Sequence, residues 1–396
     1  MEISPPVYVN TVLAALSDAG YTSCIVGGCV RDMALGVVPN DWDVATSALP
    51  ARVMEIFPVS APTGLQHGTV TVKVGSEHIE VTTFRIDGGY ADHRHPDSVS
   101  FTGNLVEDLS RRDFTINAMA ITADGNLVDP FDGMADLHAG IIRCVGDPKK
   151  RFEEDALRML RAFRFSSRLG FSIEAGTFRA IEANAPLARS LAAERVRDEV
   201  EKILLTAHPE EIFRLISCGL LDIFLTSHLP GASLLTLFPA LSKEAVHRWA
   251  ALCFLLEKEG CIGSPAEFLR ALKLDNHCIR CASDAAALMK APIPADAVAW
   301  KQLLRRFGLE TVEIYASNHD GLFGGSCQSS LAAVLSSGEC FCLADLAIGG
   351  DDLMTLGISG RQIGEALNLA LDRVIAFPSE NNKKKLISFL EESLND

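Results

Sequence analysis

Residues 27–47 read GGCVRDMALGVVPNDWDVATS and place a glycine pair a short distance before two carboxylates. The preceding apolar run YTSCIV predicts a strand that ends at this glycine pair, and CVRDMALG predicts a short helix. DWDVAT predicts a second strand, on which Asp41 and Asp43 share a face because alternate side chains point the same way. Further along, GTVTVKV and HIEVTTF alternate around GSE and predict a hairpin. The stretch therefore indicates an α/β unit.

Two carboxylates on one face repel each other, so one pKa should rise unless a cation lies between Asp41 and Asp43. Mg²⁺ prefers one or two carboxylates together with phosphate oxygens and water. Gly28 allows the backbone to approach a phosphate, the helix starting near Cys29 offers free N–H groups, and Arg31 could grip a phosphate. Taken alone, the Asp-x-Asp motif is better explained as a solvated pair of carboxylates on a strand edge than as a metal site. The order of strand, glycine pair, helix and carboxylates favours phosphate transfer.

A third carboxylate often completes a two-metal site, and the sequence offers two candidates for it. Glu80 lies in the strand HIEVTTF, and Asp113 lies in RRDFTINAMA. For either residue alone, a surface salt bridge is an equally good interpretation. The adjacent Arg111 and Arg112 suit a triphosphate or a ribose, with an ion pair to Asp113 at a helix start as the alternative.

The second informative stretch is RFEEDALRMLRAFRFSSRL, which is basic within an acidic chain. Arg158, Arg161, Arg164 and Arg168 are spaced three, three and four, so they fall along one side of a helix, with Asp155 one turn before Arg158. An Asp–Arg pair could accept from the exocyclic amino group and donate to the ring nitrogen of cytosine or adenine, and it would reject guanine and uracil. An i,i+3 salt bridge is the alternative, and spacing alone favours it.

Composition and charge limit the function classes. The chain has 396 residues, 48% hydrophobic composition and a net charge of −15, which suggests two or more domains and excludes a general nucleic-acid coat. A polyanion would have to bind through a local basic stripe. The first 140 residues are mixed α/β, and from about residue 150 the periodicity is helical, with the best boundary at 145–148. We expect no membrane span and no secretory signal.

The eleven cysteines are scattered, which fits reduced thiols better than a disulfide framework. Cys278 and Cys281 form a CxxC after His277, but a zinc site needs further ligands, and Cys340 with Cys342 is a poor second pair. We therefore expect thiols buried on helices at these positions.

These motifs together resemble one family. GGCVRDMALG with NDWDVATSALP, HGTVTVKV with EVTTF, RRDFTINAMA, LVDPFDG and RFEEDALRMLRAFRFSSRLGF closely resemble the bacterial class II tRNA nucleotidyltransferases, the CCA-adding enzymes, which share a superfamily with bacterial poly(A) polymerases. The match is dense over residues 21–192, and GISGRQIGEALNLALDRV is similar to the family's tail. The resemblance implies an α/β nucleotidyltransferase (polymerase-β-like) head followed by an all-α neck, body and tail, which we place at 1–145, 146–210, 211–300 and 301–396.

The resemblance also implies an activity, which is the addition of C, C and A to the 3′ end of tRNA from CTP and ATP. The reaction is Mg²⁺-dependent, uses no nucleic-acid template and releases pyrophosphate. The expected location is the cytoplasm, the expected partners are tRNA, ATP and CTP, and homodimer formation is left open. The residues that match the family's catalytic metal ligands are Asp41 and Asp43. Those that match its nucleotide-binding positions are Gly28, Arg31, Arg112, Asp155, Arg158, Arg161 and Arg164.

Three alternatives stay open at this point. CC-adding members carry a deletion in the loop after EVTTF, whereas residues 85–101 here look full length, which favours complete CCA addition or A addition alone. A poly(A) polymerase would share the head and neck, but such enzymes tend to end in a basic extension and this chain ends in FLEESLND. A degenerate tRNA-binding scaffold is disfavoured by the intact acidic and templating residues. His319-Asp320 lacks the histidine motifs of a phosphohydrolase domain and predicts an ordinary helix end.

Overall fold

The computed structural model describes residues 4–89, 98–227 and 241–395, which form two compact units. Within the described residues, the first unit runs to Ile223 and the second begins at Phe224. Residues 90–97, in the loop that looks full length in the sequence, lie outside the described residues. The predicted domain boundaries near 145, 210 and 300 fall inside these units and stay predictions.

A mixed sheet forms the centre of the N-terminal part of the first unit. The strands are β1 Ser23–Val26, β2 Asp43–Thr46, β3 Ser60–Gly64, β4 Thr69–Val74, β5 Glu77–Thr83, β6 Arg85–Asp87, β7 Val99–Phe101, β8 Ala120–Thr122, β9 Leu127–Val128, β10 Ile141–Ile142 and β11 Ser172–Ile173. Among the described residues, seven of them form one sheet in the order β3-β4-β5-β2-β1-β8-β9. Only β2 and β5 pair in parallel within it, and β4 with β5 forms the predicted hairpin.

Some helices of the first unit alternate with these strands along the chain, and the others follow the last strand of the sheet. The helices are α1 Val7–Asp18, α2 Gly28–Ala34, α3 Pro50–Ile56, α4 Leu105–Ser110, α5 Gly133–Ala139, α6 Pro148–Glu154, α7 Leu157–Leu169, α8 Ala175–Asn184, α9 Ala193–Leu204 and α10 Glu211–Ser217. Strand β1 is buried along its whole length, and two of its side chains, Cys24 and Val26, pack in one cluster with those of Ala45, Phe84, Leu109 and Ala120. This burial fixes β1 and β2, and therefore the positions of the glycine turn and of Asp43.

The predicted arginine-bearing helix is interrupted, which corrects one expectation. Asp155 has extended backbone dihedrals and separates α6 from α7, so it does not lie one helical turn before Arg158. Its Oδ1 accepts a hydrogen bond from the backbone N–H of Leu157 at 3.0 Å. Aspartate competes with helical hydrogen bonding in this way, which explains why the periodic pattern continues while the helix does not.

The second unit is helical throughout the part that the structure describes, as predicted. Its helices are α11 Ala245–Lys258, α12 Pro265–Ala271, α13 Asn276–Leu288, α14 Ala297–Phe307, α15 Leu309–Phe323, α16 Cys327–Ser336, α17 Gly350–Thr355, α18 Arg361–Ala376 and α19 Lys383–Asn395. Helix α11 packs on α13 and α15, and a separate apolar cluster joins α17, α18 and α19. Across all described residues, no helix is both long and apolar enough to cross a membrane.

Candidate nucleotide and metal site

A cleft of about 450 Å³ lies in the first unit between the glycine turn and α7. Gly27, Gly28 and Asp43 line it on the side of the sheet. Among the described residues, eight arginines line the same cleft, namely Arg31, Arg111, Arg112, Arg158, Arg161, Arg164, Arg168 and Arg195. So dense a set of positive charges in a chain of net charge −15 is the local basic surface that a polyanionic ligand requires.

The glycine turn positions one of these arginines. Gly27 has a φ of +81°, which favours glycine, and a Cβ there would lie 2.8 Å from Nη1 of Arg112. The same Cβ would lie 3.9 Å from Oδ2 of Asp43. A Cβ on Gly28 would meet only the Arg31 guanidinium, at an ordinary 3.6 Å. Gly27 is therefore the glycine that allows Arg112 to approach Asp43.

The two predicted carboxylates lie at the start of β2, beside a third. Asp41 is exposed just before the strand, and Asp43 is its first residue. Glu80 on β5 is the direct Cα partner of Asp43, and all three line a second cavity of about 700 Å³. Burial raises the pKa of Asp43, and the charges of Glu80 and Asp41 raise it further, while Arg112 opposes them. The charge of Arg112 therefore does not offset the effects of burial and of the two neighbouring carboxylates on Asp43.

Asp113, the other candidate for the third carboxylate, is occupied by partners within the protein. Arg161 donates to its Oδ2 from Nε at 2.8 Å and pairs with it through Nη2 at 2.6 Å, and Asn117 donates to Oδ1 at 3.1 Å. Burial alone would raise the pKa of Asp113, but Arg161 and the Asn117 hydrogen bond lower it to about 2. The geometry favours Glu80 as the third carboxylate, since Asp113 already balances the half-buried Arg161.

Arg31 is part of a hydrogen-bonded chain under the cleft. Its Nη1 donates to Oδ1 of Asn117 at 2.6 Å, and its Nε donates to Oδ1 of Asp32 at 2.8 Å. Asp32 also accepts from Arg168 at 3.1 Å. The side chains are linked in the order Arg168, Asp32, Arg31, Asn117, Asp113 and Arg161. This chain connects α2 to α7 and fixes the directions of three cleft arginines, Arg31, Arg161 and Arg168.

Arg111 and Arg112 have different surroundings. Arg111 donates to Oδ1 of Asp108 from Nε at 3.0 Å and from Nη2 at 2.8 Å, and it lies 3.7 Å from Asp87. Arg112 reaches Asp108 only at 3.3 Å, and its buried Nε has no hydrogen-bond partner among the described residues. The alternative of an ion pair with Asp113 is wrong, because the carboxylate they share is Asp108. Of these two arginines, Arg112 is therefore the one with an N–H donor available for a ligand.

Asp155 and Arg158 both line the cleft, but the i,i+3 ion pair between them does not form. Arg158 instead pairs with Glu154 at 2.6 Å and donates to the carbonyl of Arg111 at 3.0 Å. Asp155 accepts from the guanidinium of Arg195 at 3.1 and 3.4 Å.

Arg195 was missed from the sequence. It lies at the start of α9 and approaches Asp155 across 40 residues of chain. The only signal is a basic residue in the first turn of an amphipathic helix, and no spacing rule connects that turn to Asp155.

The ring of Phe165 contacts three of the cleft arginines. The guanidinium carbons of Arg164, Arg31 and Arg161 lie 4.3, 5.3 and 5.4 Å from its ring centroid. Arg164 also donates to the buried Glu199 of α9 at 2.6 Å. Contacts of this kind hold guanidiniums in place while their remaining N–H groups stay available.

Models of known families match three parts of the chain. Residues 23–143 match the model of the poly A polymerase head domain, residues 170–232 match the model described as the probable RNA and SrmB-binding site of polymerase A, and residues 242–390 match the model of tRNA nucleotidyltransferase domain 2. The head match contains the glycine turn and the three carboxylates.

Relatives match over nearly the whole length. The CCA-adding enzyme of Limosilactobacillus fermentum is 37% identical over 97% of this chain and 96% of its own. That of a Geobacillus species is 37% identical over 96% and 95%. The crystal structure of the Bacillus stearothermophilus CCA-adding enzyme in complex with CTP is similar with a TM-score of 0.83 and 35% identity, covering 99% of this chain and 98% of that one.

Proposed function

Because the chain belongs to the family of CCA-adding enzymes, we propose that it adds C, C and A to the 3′ end of tRNA from CTP and ATP, without a nucleic-acid template and with release of pyrophosphate. The observation that carries this proposal is the position of Asp43. It lines both the arginine-rich cleft and the acidic cavity that contains Asp41 and Glu80. A triphosphate and a carboxylate-bound cation can therefore meet at one side chain.

The metal ligands in this proposal are Asp41 and Asp43, with Glu80 beside them. Their donor set fits Mg²⁺, which takes carboxylate oxygens, and burial together with the charges of Glu80 and Asp41 raises the pKa of Asp43. When bound, the divalent cation supplies positive charge that eases deprotonation of the tRNA 3′-hydroxyl and neutralises the leaving pyrophosphate. The carboxylates themselves orient this centre at the rigid start of β2.

The triphosphate is proposed to lie in the arginine cleft. Arg112 is the cation whose charge acts on Asp43, and the backbone of Gly28 and the buried Arg31 border the same cleft. Arg161 and Arg164 line the cleft further along α7, where Phe165 supports them. The 3′-hydroxyl of tRNA would then approach from the acidic cavity, opposite the leaving pyrophosphate.

Asp155 and Arg158 are proposed to read the base. Asp155 accepts from an exocyclic amino group and Arg158 donates to a ring nitrogen, a pattern that cytosine and adenine satisfy. Guanine and uracil would face two mismatches, each costing ~1–3 kcal/mol in a dry site. Since Asp155 now contacts Arg195 and Arg158 contacts Glu154, these partners determine which lone pairs and N–H groups face the cleft.

We place this activity in the cytoplasm, since all eleven cysteines are free thiols, as expected in a reducing compartment. Formation of a homodimer stays a prediction, which gel filtration with light scattering would test.

The activity is tested with three tRNA transcripts, ending before CCA, after C and after CC. Each is incubated with the protein, Mg²⁺ and labelled CTP, ATP or both, and products are resolved at single-nucleotide length. We expect all three to grow to a defined CCA end. Extension of only the third transcript, by one A, would indicate an A-adding enzyme, and a ladder of A residues would indicate a poly(A) polymerase. No Mg²⁺-dependent incorporation at all would support the scaffold alternative.

A further inference from the structure

The second unit contains a cluster of three side chains with three different donor atoms. His277 and Cys281 lie four residues apart on α13, so they share a face of that helix, and Glu310 is the second residue of α15. The Nε2 atom of His277 lies 2.9 Å from Oε1 of Glu310. The Sγ atom of Cys281 lies 4.0 Å from Nδ1 of His277 and 3.9 Å from Oε2 of Glu310. One donor atom from each residue therefore lies within 4.8 Å of the other two.

We propose that His277, Cys281 and Glu310 form a binding site for a borderline divalent cation of the Zn²⁺ type, which links α13 to α15. A thiolate, an imidazole and a carboxylate are the ligands that Zn²⁺ takes, with water in the fourth position when the protein supplies three. The same donors suit Mg²⁺ poorly, because it demands oxygen ligands in an octahedral arrangement. This site is thus chemically distinct from the carboxylates of the first unit.

The distances are close to those of a metal site. Tetrahedral Zn²⁺, with bonds of roughly 2.0 to 2.3 Å, separates neighbouring ligand atoms by about 3.3 to 3.6 Å. The three observed separations join different atoms of His277 and Glu310, and one donor atom from each residue lies within 4.8 Å of the other two, so small side-chain movements are enough to reach the tetrahedral range. Cys281 is fully buried and fixed by the helix, whereas the side chains of His277 and Glu310 are 57% and 52% exposed and are free to adjust. The imidazole has only to turn one nitrogen toward the space that Sγ and the carboxylate share.

Arg280 is the group that competes with a cation here. Its Nη2 lies 3.4 Å from Nδ1 of His277. Arg280 is exposed on the surface of α13, so its side chain can move into solvent when a metal binds. Binding also requires loss of the Cys281 thiol proton, and the apparent affinity should therefore rise with pH.

A second cluster with similar donors is less suitable. His319, Asp320 and Cys327 also lie within 4.8 Å of one another. However, the Asp320 carboxylate accepts from the backbone N–H groups of Cys327 at 2.8 Å and Gln328 at 2.9 Å, at the start of α16. A metal there would have to compete with the two backbone N–H groups that this carboxylate already satisfies at the helix start.

The CxxC spacing suggests Cys278 and Cys281 as a pair of ligands, but only Cys281 belongs to the cluster. The structure puts Cys281 beside a histidine of the same helix and beside a carboxylate 29 residues further along. Sequence spacing cannot indicate the third ligand, because Glu310 reaches the site only through the packing of α15 on α13.

The experiment uses the full-length protein with Co²⁺ as a spectroscopic substitute for Zn²⁺. A cobalt–thiolate bond gives a near-ultraviolet charge-transfer band that carboxylate sites cannot produce. We expect this band in the parent protein, its loss on addition of Zn²⁺, and its absence in Cys281→Ala and His277→Ala. Cys281 is buried, so its variant could misfold, whereas His277 is exposed and its replacement should not disturb the core. Circular dichroism verifies that both variants are folded. Thermal unfolding should shift upward with Zn²⁺ in the parent protein but not in His277→Ala.

Matched controls lie next to each ligand. Cys278→Ala changes the other half of the CxxC, and Glu313→Gln changes a carboxylate one turn beyond Glu310, so both should keep the band. Absence of the band in the parent protein would overturn the proposal. So would a band that persists in Cys281→Ala but disappears in Cys327→Ala, since the metal would then occupy the second cluster.

Discussion

Asp43 and Glu80 lie directly opposite each other, as Cα partners on the parallel strands β2 and β5. Neighbouring residues of adjacent strands project to the same face, so both carboxylates point to one side of the sheet, and Asp41 adds a third charge. Like charges so arranged destabilise a sheet unless a cation balances them. Burial raises the pKa of Asp43, and the charges of Glu80 and Asp41 raise it further. The arrangement is costly for folding and useful for binding a divalent ion.

Replacement of Glu80 by Gln should impair catalysis while leaving nucleotide binding largely intact. The amide keeps the shape of the side chain but removes one charge from the proposed metal site, so kcat should fall by roughly 10- to 100-fold, equivalent to about 1.4–2.7 kcal/mol. The Mg²⁺ concentration at half-maximal rate should rise, while KM for CTP stays nearly constant. Steady-state kinetics over a Mg²⁺ series measures both. Glu55→Gln, an exposed carboxylate on α3 that lines neither cavity, is the control, and equal kinetics for the two variants would contradict the role of Glu80.

Replacement of Asp43 by Asn should abolish activity and yet stabilise the metal-free protein. Because burial and the neighbouring carboxylates raise the folded-state pKa of Asp43, its charged form opposes folding. This penalty grows as pH rises from the ordinary aspartate pKa through the raised value, and it is fully present at neutral pH. In EDTA at pH 7 the variant should melt roughly 1–3 °C higher than the parent. Mg²⁺ should raise Tm only in the parent, and a lower Tm of the variant in EDTA would refute this account.

Asp113 should show the opposite pH dependence. Its folded pKa of about 2 lies below the unfolded value, so its stabilising contribution is present above pH ~4 and is lost as pH falls toward 2. Asp113→Asn leaves Arg161 without its partner and should lower the free energy of unfolding by about 3 kcal/mol at neutral pH. Urea titrations at several pH values should show the difference shrinking below pH 4.

The exposed pair of Asp198 with Arg197 provides the control for that measurement. Asp198→Asn should change the free energy of unfolding by no more than about 0.5 kcal/mol. A loss for Asp113→Asn as small as this would show that Asp113 is not a stabilising counter-ion of the cleft.

Local patterns in the sequence were sufficient for the sheet hairpin, the helical remainder and the place of Asp43 on β2, whereas Asp41, predicted on the same strand, lies just before it. They could not decide between Glu80 and Asp113. That choice depends on which residue pairs with Asp43 across β2 and β5, and parallel pairing needs a long crossover whose register no local pattern specifies. The side-chain partners of Asp113 were equally out of reach, since Arg161 follows 48 residues later.

The break at Asp155 shows a different limit. Periodicity reports which side of a segment is apolar, and it continues through Asp155 although the helix does not. The carboxylate that accepts from Leu157 is a local signal, but the same residue type is common within helices. The partner that holds Asp155, on α9, follows only from tertiary packing.

The glycine pair offers a contrast between two neighbouring positions. Gly27→Ala puts a methyl group 2.8 Å from Nη1 of Arg112 in a left-handed backbone conformation, so it should lower stability and displace Arg112. KM for CTP and ATP should rise by about tenfold, as expected for losing one charged contact of ~1.4 kcal/mol. Gly28→Ala meets only ordinary contacts and is the control. If Gly28→Ala impairs nucleotide binding equally, the backbone of Gly28, rather than the space around Gly27, is the requirement.

Arg195 should control nucleotide choice without touching the metal site. Its guanidinium holds both oxygens of Asp155, so Arg195→Ala should let that carboxylate rotate and blunt discrimination against UTP and GTP. We expect the preference for CTP over UTP, measured as a ratio of kcat/KM, to fall by about tenfold, equivalent to ~1.4 kcal/mol. Mg²⁺ dependence should not change.

Asp155→Ala should lose selectivity to at least the same degree, and the double variant should add little, because both substitutions remove one interaction. Arg197→Gln, on the same helix and paired with Asp198, should leave selectivity intact. Unchanged selectivity in Arg195→Ala together with lost selectivity in Asp155→Ala would mean that Asp155 reads the base without help from α9. Unchanged selectivity in both would remove the templating role from Asp155 altogether.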